Sequence, residues 1–382
     1  MKDKFKDLFR KDNLLYLINN DKIINFYSSL IAIIFGLLIG FIIMLFANPS
    51  DAFYGFSKIL SGGFSGGSKG TGNIFYYATP IILTGLSIGF AFKTGLFNIG
   101  ASGQLLFGAF CALFVGIKWT WLPAGLHWIV AVLAGVTGGA FWALLPGILK
   151  ALLNVHEVIA TIMMNYIGVY LVNMLIKGTP SIFDSSKNQT RLPNANAILP
   201  KLGLDKLFPG SSINIGIIIA IIVAIIIYII LNKTSFGYEL KACGYNKNAS
   251  KYAGINEKKS IILSMVIAGA LAGLAGGLLY LSGTGKRIEV VDVLPVEGFN
   301  GIPVALLGLS NPIGIIFAGL FISYISQGGF YMQLYNFAPQ IIDIIIAIII
   351  YSSAFSLIVK QFLQKFRVER IQPISQAAER EE

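Results

Sequence analysis

Residues 213–231 read Ile213-Asn-Ile-Gly-Ile-Ile-Ile-Ala-Ile-Ile-Val-Ala-Ile-Ile-Ile-Tyr-Ile-Ile-Leu231, nineteen positions without a charged side chain. A helix of this length, at about 1.5 Å rise per residue, covers most of the roughly 30 Å hydrocarbon core of a bilayer. In that medium only a helix or a closed barrel satisfies its own backbone polar groups, so the run predicts a membrane-spanning helix. Further apolar runs lie near residues 25–46, 74–92, 96–117, 126–149, 157–176, 260–281, 312–327 and 338–359, and a shorter one covers 299–309. The first run is longer than the roughly 7–15 apolar residues of a secretory signal, which makes it a retained span.

Composition agrees. The 382 residues are 55% hydrophobic and 12% charged, against about 25% charged in a soluble domain. The 42 glycines suit helices that approach closely in lipid, and the 28 Phe and 16 Tyr suit membrane interfaces. A net charge of +11 raises nucleic acid as a partner. A nucleic-acid footprint clusters its cations on a folded face with aromatics, whereas here they sit in short blocks between apolar runs. The excess reads instead as a topology signal and as attraction to anionic lipid. Two cysteines, Cys111 and Cys243, build neither a disulfide framework nor a metal site.

Orientation follows from where the cations fall. The amino-terminal arm carries Lys2, Lys4, Lys6, Arg10, Lys11 and Lys22. The 232–259 loop carries Lys233, Lys241, Lys247, Lys251, Lys258 and Lys259, and the tail carries Lys360, Lys365, Arg367 and Arg370. Lys and Arg near span ends stay cytoplasmic, and an even number of crossings places all three segments there. The short run is therefore counted as a span. The expected organisation is a cytoplasmic arm (1–24), a transmembrane domain (25–359) and a cytoplasmic tail (360–382). Within the domain, loop 232–259 faces the cytoplasm and loop 177–212 faces outward. The outer loop also carries Lys177, Lys187, Arg191, Lys201 and Lys206, so the rule is obeyed by density of charge. The fold class is an all-α integral membrane protein of the plasma or inner membrane, with about ten transmembrane helices, one of them short, in a single bundle. The glycine-rich segment 61–72 reads as a flexible outer loop. Glycines spaced by four, at Gly36 and Gly40, Gly135 and Gly139, then Gly269, Gly273 and Gly277, predict close helix packing within the bundle or against a second subunit.

No phosphate-cradling loop is present, since Gly285-Lys286 is followed by Arg287 and not by Ser or Thr. His127 and His156 are the only histidines, and no nucleophile, base and orienter set, metal site or cofactor motif accompanies them. Two carboxylates lie at helix starts: Glu157, after a capping Asn154, and Asp343, after Pro339. Each reads either as a partner of the helix dipole or as a proton- or cation-coupling group of an ion-driven carrier. Polarity without charge is more informative. The interruption Phe97-Asn98-Ile-Gly-Ala-Ser102-Gly-Gln104, the mid-helix pair Asn165-Tyr166, and Glu297-Gly-Phe-Asn300-Gly-Ile-Pro303 place amides and hydroxyls inside apolar sequence. Broken helices in transporters expose such groups to a solute, which makes Asn98, Ser102, Gln104, Asn165, Tyr166 and Asn300 pathway candidates. Hydrogen bonding between helices is the alternative.

The 232–259 loop is moderately amphipathic and reads either as a short helix that docks on a partner or as a solvated basic turn; it is similar to the cytoplasmic coupling region of ABC permeases. The group concerned imports branched-chain amino acids, ribose-type sugars and nucleosides. Gly237, Ala242, Gly244, Asn246, Ala249, Gly254 and Ile255 carry the likeness, with the Ala/Gly-rich span 264–277 after them. Segments 95–104, 156–167 and 298–308 resemble the nucleoside-type permeases, and the likeness runs over most of residues 70–350. Two positions depart from it: His156 stands where a polar amide is expected and Ser102 where an acidic residue is common. The resemblance implies a permease subunit of an ATP-driven importer of a small polar solute, foremost nucleosides, with sugars or amino acids next. It further implies an ABC ATPase subunit docked on Gly237, Ala242, Gly244, Asn246, Ala249 and Gly254. An extracytoplasmic solute-binding lipoprotein, a second related permease and surrounding lipid complete the expected partners.

Overall fold

The computed structural model describes residues 21–354. The cationic positions from Lys2 to Lys11 and from Lys360 to Arg370 lie outside the described residues. The elements are α1 (Asp21–Ala47), α2 (Ala52–Ser61), α3 (Gly67–Lys93), α4 (Ala101–Lys118), α5 (His127–Leu153), α6 (Glu157–Lys177), α7 (Leu204–Leu207), α8 (Gly216–Lys233), α9 (Ser235–Tyr245), α10 (Lys247–Tyr252), α11 (Glu257–Tyr280), α12 (Val296–Phe299), α13 (Gly301–Leu307), α14 (Pro312–Met332) and α15 (Gln340–Ala354). Strands β1 (Phe183–Asp184) and β2 (Gln189–Thr190) pair antiparallel in the long 178–215 connection. Among the described residues, seven helices are long and apolar enough to cross a membrane: Ala52–Lys93, α4, α5, α6, α8, α11 and Pro312–Tyr335. Three shorter apolar helices, Ile33–Ala47, Val296–Leu307 and Gln340–Ser352, accompany them. The protein is therefore an all-α membrane protein.

Two compact units divide the chain, one holding the segments up to Ser57 and from Met332, the other Lys58–Tyr331. In the first, α1 lies against α15. A Cβ on Gly36 would sit 2.7 Å from the Cα of Ile349, and one on Gly40 would sit 3.0 Å from Ile345. The glycine spacing of α1 thus serves contact between these two helices.

In the larger unit α11 is the central helix, buried along most of its length and packed on α5, α4 and α3. The reason is steric. A Cβ on Gly108 of α4 would lie 2.5 Å from the Cα of Gly273, and one on Gly139 of α5 would lie 2.6 Å from the same atom. Three helix backbones meet where side chains are absent, at the Gly135/Gly139 and Gly269/Gly273 spacings expected to mediate packing. By contrast α8, an almost unbroken Ile run, keeps Ile218, Ile222, Ile225, Ile226 and Ile229 exposed, as a lipid-facing helix does.

The segment 61–72 differs from its expected loop: Gly62–Gly66 forms a 3-10 turn and α3 already starts at Gly67. Aromatic packing explains the glycines. The ring of Tyr324 covers Gly62 and that of Tyr331 covers Gly66, where a Cβ would stand 2.7 Å from the ring carbon bearing the hydroxyl.

Between α11 and α13 the backbone is irregular at depth. The 194–199 segment touches one end of the unit twice, through Asn194 N–H to Gly116 O and Leu199 N–H to Leu281 O, both at 2.9 Å. Ser102 Oγ, at the opposite end of α4, donates to Pro295 O at 2.6 Å. Ser102 precedes Gly116 by fourteen residues of helix, about 21 Å at 1.5 Å per residue, so the chain descends that far between Leu281 and Pro295. On the way it bonds to the β-hairpin, through Thr190 N–H to Ile288 O and Val290 N–H to Asn188 O, each 2.9 Å. It also bonds to α6, where Asn173 Nδ2 donates to Val291 O at 3.1 Å. In the hairpin turn Ser186 Oγ donates to Asp184 Oδ1 at 2.6 Å, and this hydroxyl, aided by the Ser186 N–H, holds the Asp184 carboxyl below its ordinary range. The short run expected at 299–309 is the half-helix α13, against which α3 packs; a Cβ on Gly301 would lie 2.8 Å from the backbone nitrogen of Gly85.

The three-backbone contact yields a graded expectation. Gly273→Val forces α11 off α4 and α5 and costs about 1–3 kcal/mol by overpacking. Gly277→Ala, whose Cβ meets nothing closer than 3.6 Å, is tolerated. Thermal unfolding in detergent measures both, and equal midpoints for the two variants would contradict this account of the packing.

Candidate functional site

Two features stand out in the larger unit: a knot of buried amides where α3 hands over to α4, and the turn carrying α9 and α10. The knot begins because α3 ends at Lys93 and α4 starts only at Ala101. Gly95 there has φ +73°, a left-handed conformation that glycine adopts without the Cβ penalty of other residues. The freed backbone groups then need partners. Asn98 Oδ1 accepts from Gly100 N–H at 3.0 Å and from Gln104 Nε2 at 3.1 Å, while Asn98 Nδ2 donates to Gln104 Oε1 at 2.9 Å. The two side-chain amides form a reciprocal pair that locks the turn.

From α6, Asn165 completes the arrangement. Its Oδ1 accepts from Gly103 N–H at 2.8 Å, and its Nδ2 donates to Ile99 O at 3.1 Å. The first N–H groups of a helix have no partner within it, and α4 has no side-chain cap of its own. Asn165 supplies a cap from a neighbouring helix. Trp142 Nε1, on α5, donates to Met164 O at 3.1 Å and braces the same stretch of α6.

The structure thus gathers Asn98, Ser102, Gln104 and Asn165, each 1% exposed or less, around one helix start. Tyr166 instead lies on the outer face of α6 at 51% exposure. Asn300 is half-buried between α12 and α13. Gly298 presses on Ser102, where a Cβ would stand 2.7 Å from the Ser102 Cβ. At Glu157 the cap is His156, whose Nδ1 accepts from Val158 N–H at 3.3 Å. Asn154 instead ends α5 in a left-handed conformation. The Glu157 carboxylate pairs with Lys150 Nζ at 2.7 Å, and Asp343 falls in the first turn of α15.

The second feature turns on three caps. Thr234 Oγ1 accepts from Gly237 N–H at 3.1 Å, Asn246 Oδ1 from Ala249 N–H at 3.0 Å, and Asn256 Oδ1 from Lys259 N–H at 3.1 Å. They start α9, α10 and α11 in turn, so the expected single short helix is two. Gly237 lets α9 fold against α8, where a Cβ would lie 2.7 Å from the Cα of Leu231. Gly244 lets α9 rest on the end of α3, where a Cβ would lie 2.8 Å from the carbonyl carbon of Thr94. Ala242 is half-buried; Asn246, Ala249 and Gly254 are exposed, as are Tyr238, Tyr245 and Tyr252.

Sequence reasoning had no signal for the contact between these two features. Thr94 Oγ1 bonds Ser264 Oγ of α11, and Gly95 meets the backbone of Gly244. Three residues after Gly95, Asn98 enters the amide knot. Position 244 is therefore in rigid contact with the segment whose conformation the amides hold.

If Asn165 is a structural cap, Asn165→Ala leaves the Gly103 N–H and Ile99 carbonyl buried without partners, at a cost of about 1–3 kcal/mol. Tyr166→Ala should change stability little. Melting curves of the two purified variants read the difference, and an Asn165→Ala protein as stable as wild type would refute the capping role.

Comparison with known proteins adds an independent line. Residues 70–354 match the family described as branched-chain amino acid transport system / permease component. The nucleoside ABC transporter permease protein NupB of Lactococcus lactis is similar, with 40% identity over 91% of this chain and 95% of its own. The guanosine ABC transporter permease protein NupP of Bacillus subtilis is 40% identical over 88% of this chain and 95% of its own. The glucose ABC transporter permease protein TsgB13 of Haloferax volcanii is 30% identical, covering 86% of this chain and 85% of its own. No solved structure matches the chain.

Proposed function

Because the chain belongs to the family of branched-chain amino acid transport system permease components, it is a transport subunit and not an enzyme, and we propose that it carries nucleosides through the membrane within an ATP-driven importer. The observation that carries the substrate is the 40% identity, over nearly the whole chain, to permeases named for nucleosides and for guanosine. A sugar is the second reading, favoured by the glucose permease at 30% identity.

On this reading the chain crosses the membrane about ten times, the three shorter apolar helices adding to the seven long ones. Loop 232–259 lies in the cytoplasm and meets an ABC ATPase, with Gly237, Ala242, Gly244, Asn246, Ala249 and Gly254 in the coupling region. Loop 177–212 lies outside and receives a solute-binding protein, and a second related permease completes the pore. Asn98, Ser102, Gln104, Asn165, Tyr166 and Asn300 belong to the pathway or to the turns that shape it.

The mechanism is alternating access. An ATP-driven movement of the ATPase displaces α9, and Gly244 bears on the backbone of residues 93–95 without a compliant side chain between them. Packed backbones shift between discrete arrangements and do not deform gradually. The displacement therefore reaches the Asn98–Gln104 turn, and the two arrangements differ in which face of the pathway is open. ATP binding can bias that equilibrium only by contacting one arrangement better than the other.

Cells that express the chain with its partner subunits should accumulate labelled guanosine or uridine. Accumulation should collapse on ATP depletion and survive an uncoupler of the proton gradient. Gly244→Leu should abolish uptake while the protein still inserts in the membrane. Uptake by Gly244→Leu at the wild-type rate would remove the coupling role of this contact, and uptake driven by a proton gradient without ATP would remove the importer reading.

A further inference from the structure

The stretch between α11 and α13 holds a charged contact. Lys286 Nζ pairs with Glu297 Oε1. The same ammonium stands over the ring of Tyr280, 5.6 Å from its centroid. Close by, the Tyr76 hydroxyl lies 3.1 Å from Thr284 Oγ1, which is 2.9 Å from Ser282 Oγ.

Its depth is what makes the pair informative. Glu297 stands between Pro295, whose carbonyl accepts from Ser102, and Gly298, which presses on the same serine. Ser102 lies about 21 Å along α4 from Gly116. The Lys286 ammonium also stands over Tyr280, the last residue of α11 at the Gly116 end, so the ion pair lies between these two levels, inside a hydrocarbon core of roughly 30 Å. Yet the side chains of Lys286 and Glu297 remain 33% and 29% exposed. An ion pair open to hydrocarbon is expensive, and ionisable groups at such depth face a bundle interior or a water-filled cavity. Irregular backbone at membrane depth obeys the same restriction. Both features occur in this one stretch.

We propose that Lys286 and Glu297 line a water-filled vestibule of the solute pathway and contact the solute as it passes. This assignment rests on the nucleoside-import reading and names two residues for it. The chemistry fits an uncharged nucleoside. A carboxylate accepts hydrogen bonds from two vicinal sugar hydroxyls, and an ammonium donates to a base carbonyl or ring nitrogen. Together the two charges cancel, so the site offers no surplus cation for a phosphate, and nucleotides are discriminated against.

Uptake of labelled uridine by the assembled transporter, with the amount of protein in the membrane measured in parallel, tests the assignment. Glu297→Gln and Lys286→Met should each raise KM about tenfold or more, the loss expected for a hydrogen bond to a charged group. Glu297→Asp should retain part of the affinity. The exchanged pair K286E/E297K preserves an ion pair that could tether the loop but reverses donor and acceptor, so it should remain impaired. An unchanged KM in both single variants, or full restoration in the exchanged pair, overturns the proposal.

A second measurement does not depend on turnover. In a chain bearing Cys111→Ala and Cys243→Ala, Glu297→Cys should react with a membrane-impermeant thiol reagent added outside, and uridine should slow the reaction. No reaction overturns the vestibule. If Glu297→Cys reacts and uridine has no effect while the wild-type assembly accumulates no nucleoside, the substrate reading fails and takes the solute contact with it. Wild-type uptake with no effect of uridine on labelling overturns the solute contact alone.

Discussion

Three helix backbones in direct contact, at Gly108, Gly139 and Gly273, are the constraint on which the larger unit depends. Lipid tails are as apolar as Leu, so no hydrophobic force drives one apolar helix onto another in a membrane; close van der Waals packing and hydrogen bonds do so. Removing side chains at one crossing brings α11 within backbone distance of α4 and α5. The helix becomes a mast around which α3, α4 and α5 are placed.

A tightly packed core of this kind leaves little room for solute. The backbone leaves helical geometry instead at residues 94–100 and 281–295. Each break exposes peptide groups that lipid cannot satisfy. Asn98, Gln104 and Asn165 satisfy those of the first, and the β-hairpin, Asn173 and Ser102 engage those of the second. Polar side chains buried in this protein therefore serve backbone geometry before any solute arrives. Where charge persists at depth, at Lys286 and Glu297, it is paired and partly open.

The first break also lies against the turn that carries α9. Gly244 and Gly95 touch backbone to backbone, and the hydroxyls of Thr94 and Ser264 tie the same turn to α11. The end of α9 thus rests on backbone, with no side chain between it and the turn that leads into the amide knot.

Hydrophobic run length alone determined that this chain lives in a membrane, because an uncharged stretch such as 213–231 has no other stable solvent. The starts of α6 and α14 fall where the apolar runs near 157–176 and 312–327 begin, although the cap of α6 is His156 and not Asn154. The glycine spacings that join α5 to α11 were legible too, because a four-residue period aligns small residues on one helix face. Tertiary structure decided what local sequence cannot encode. Segment 61–72 reads as a loop by its glycines, but Tyr324 and Tyr331, more than 250 residues away, pack onto those glycines and hold it in helical form. Asn98, Ser102, Gln104, Asn165 and Asn300 looked equivalent as polar interruptions. Only the fold gives four of them partners across α4, α6 and the 295 turn and leaves Asn300 apart, because a hydrogen bond depends on distance in space and not on separation along the chain.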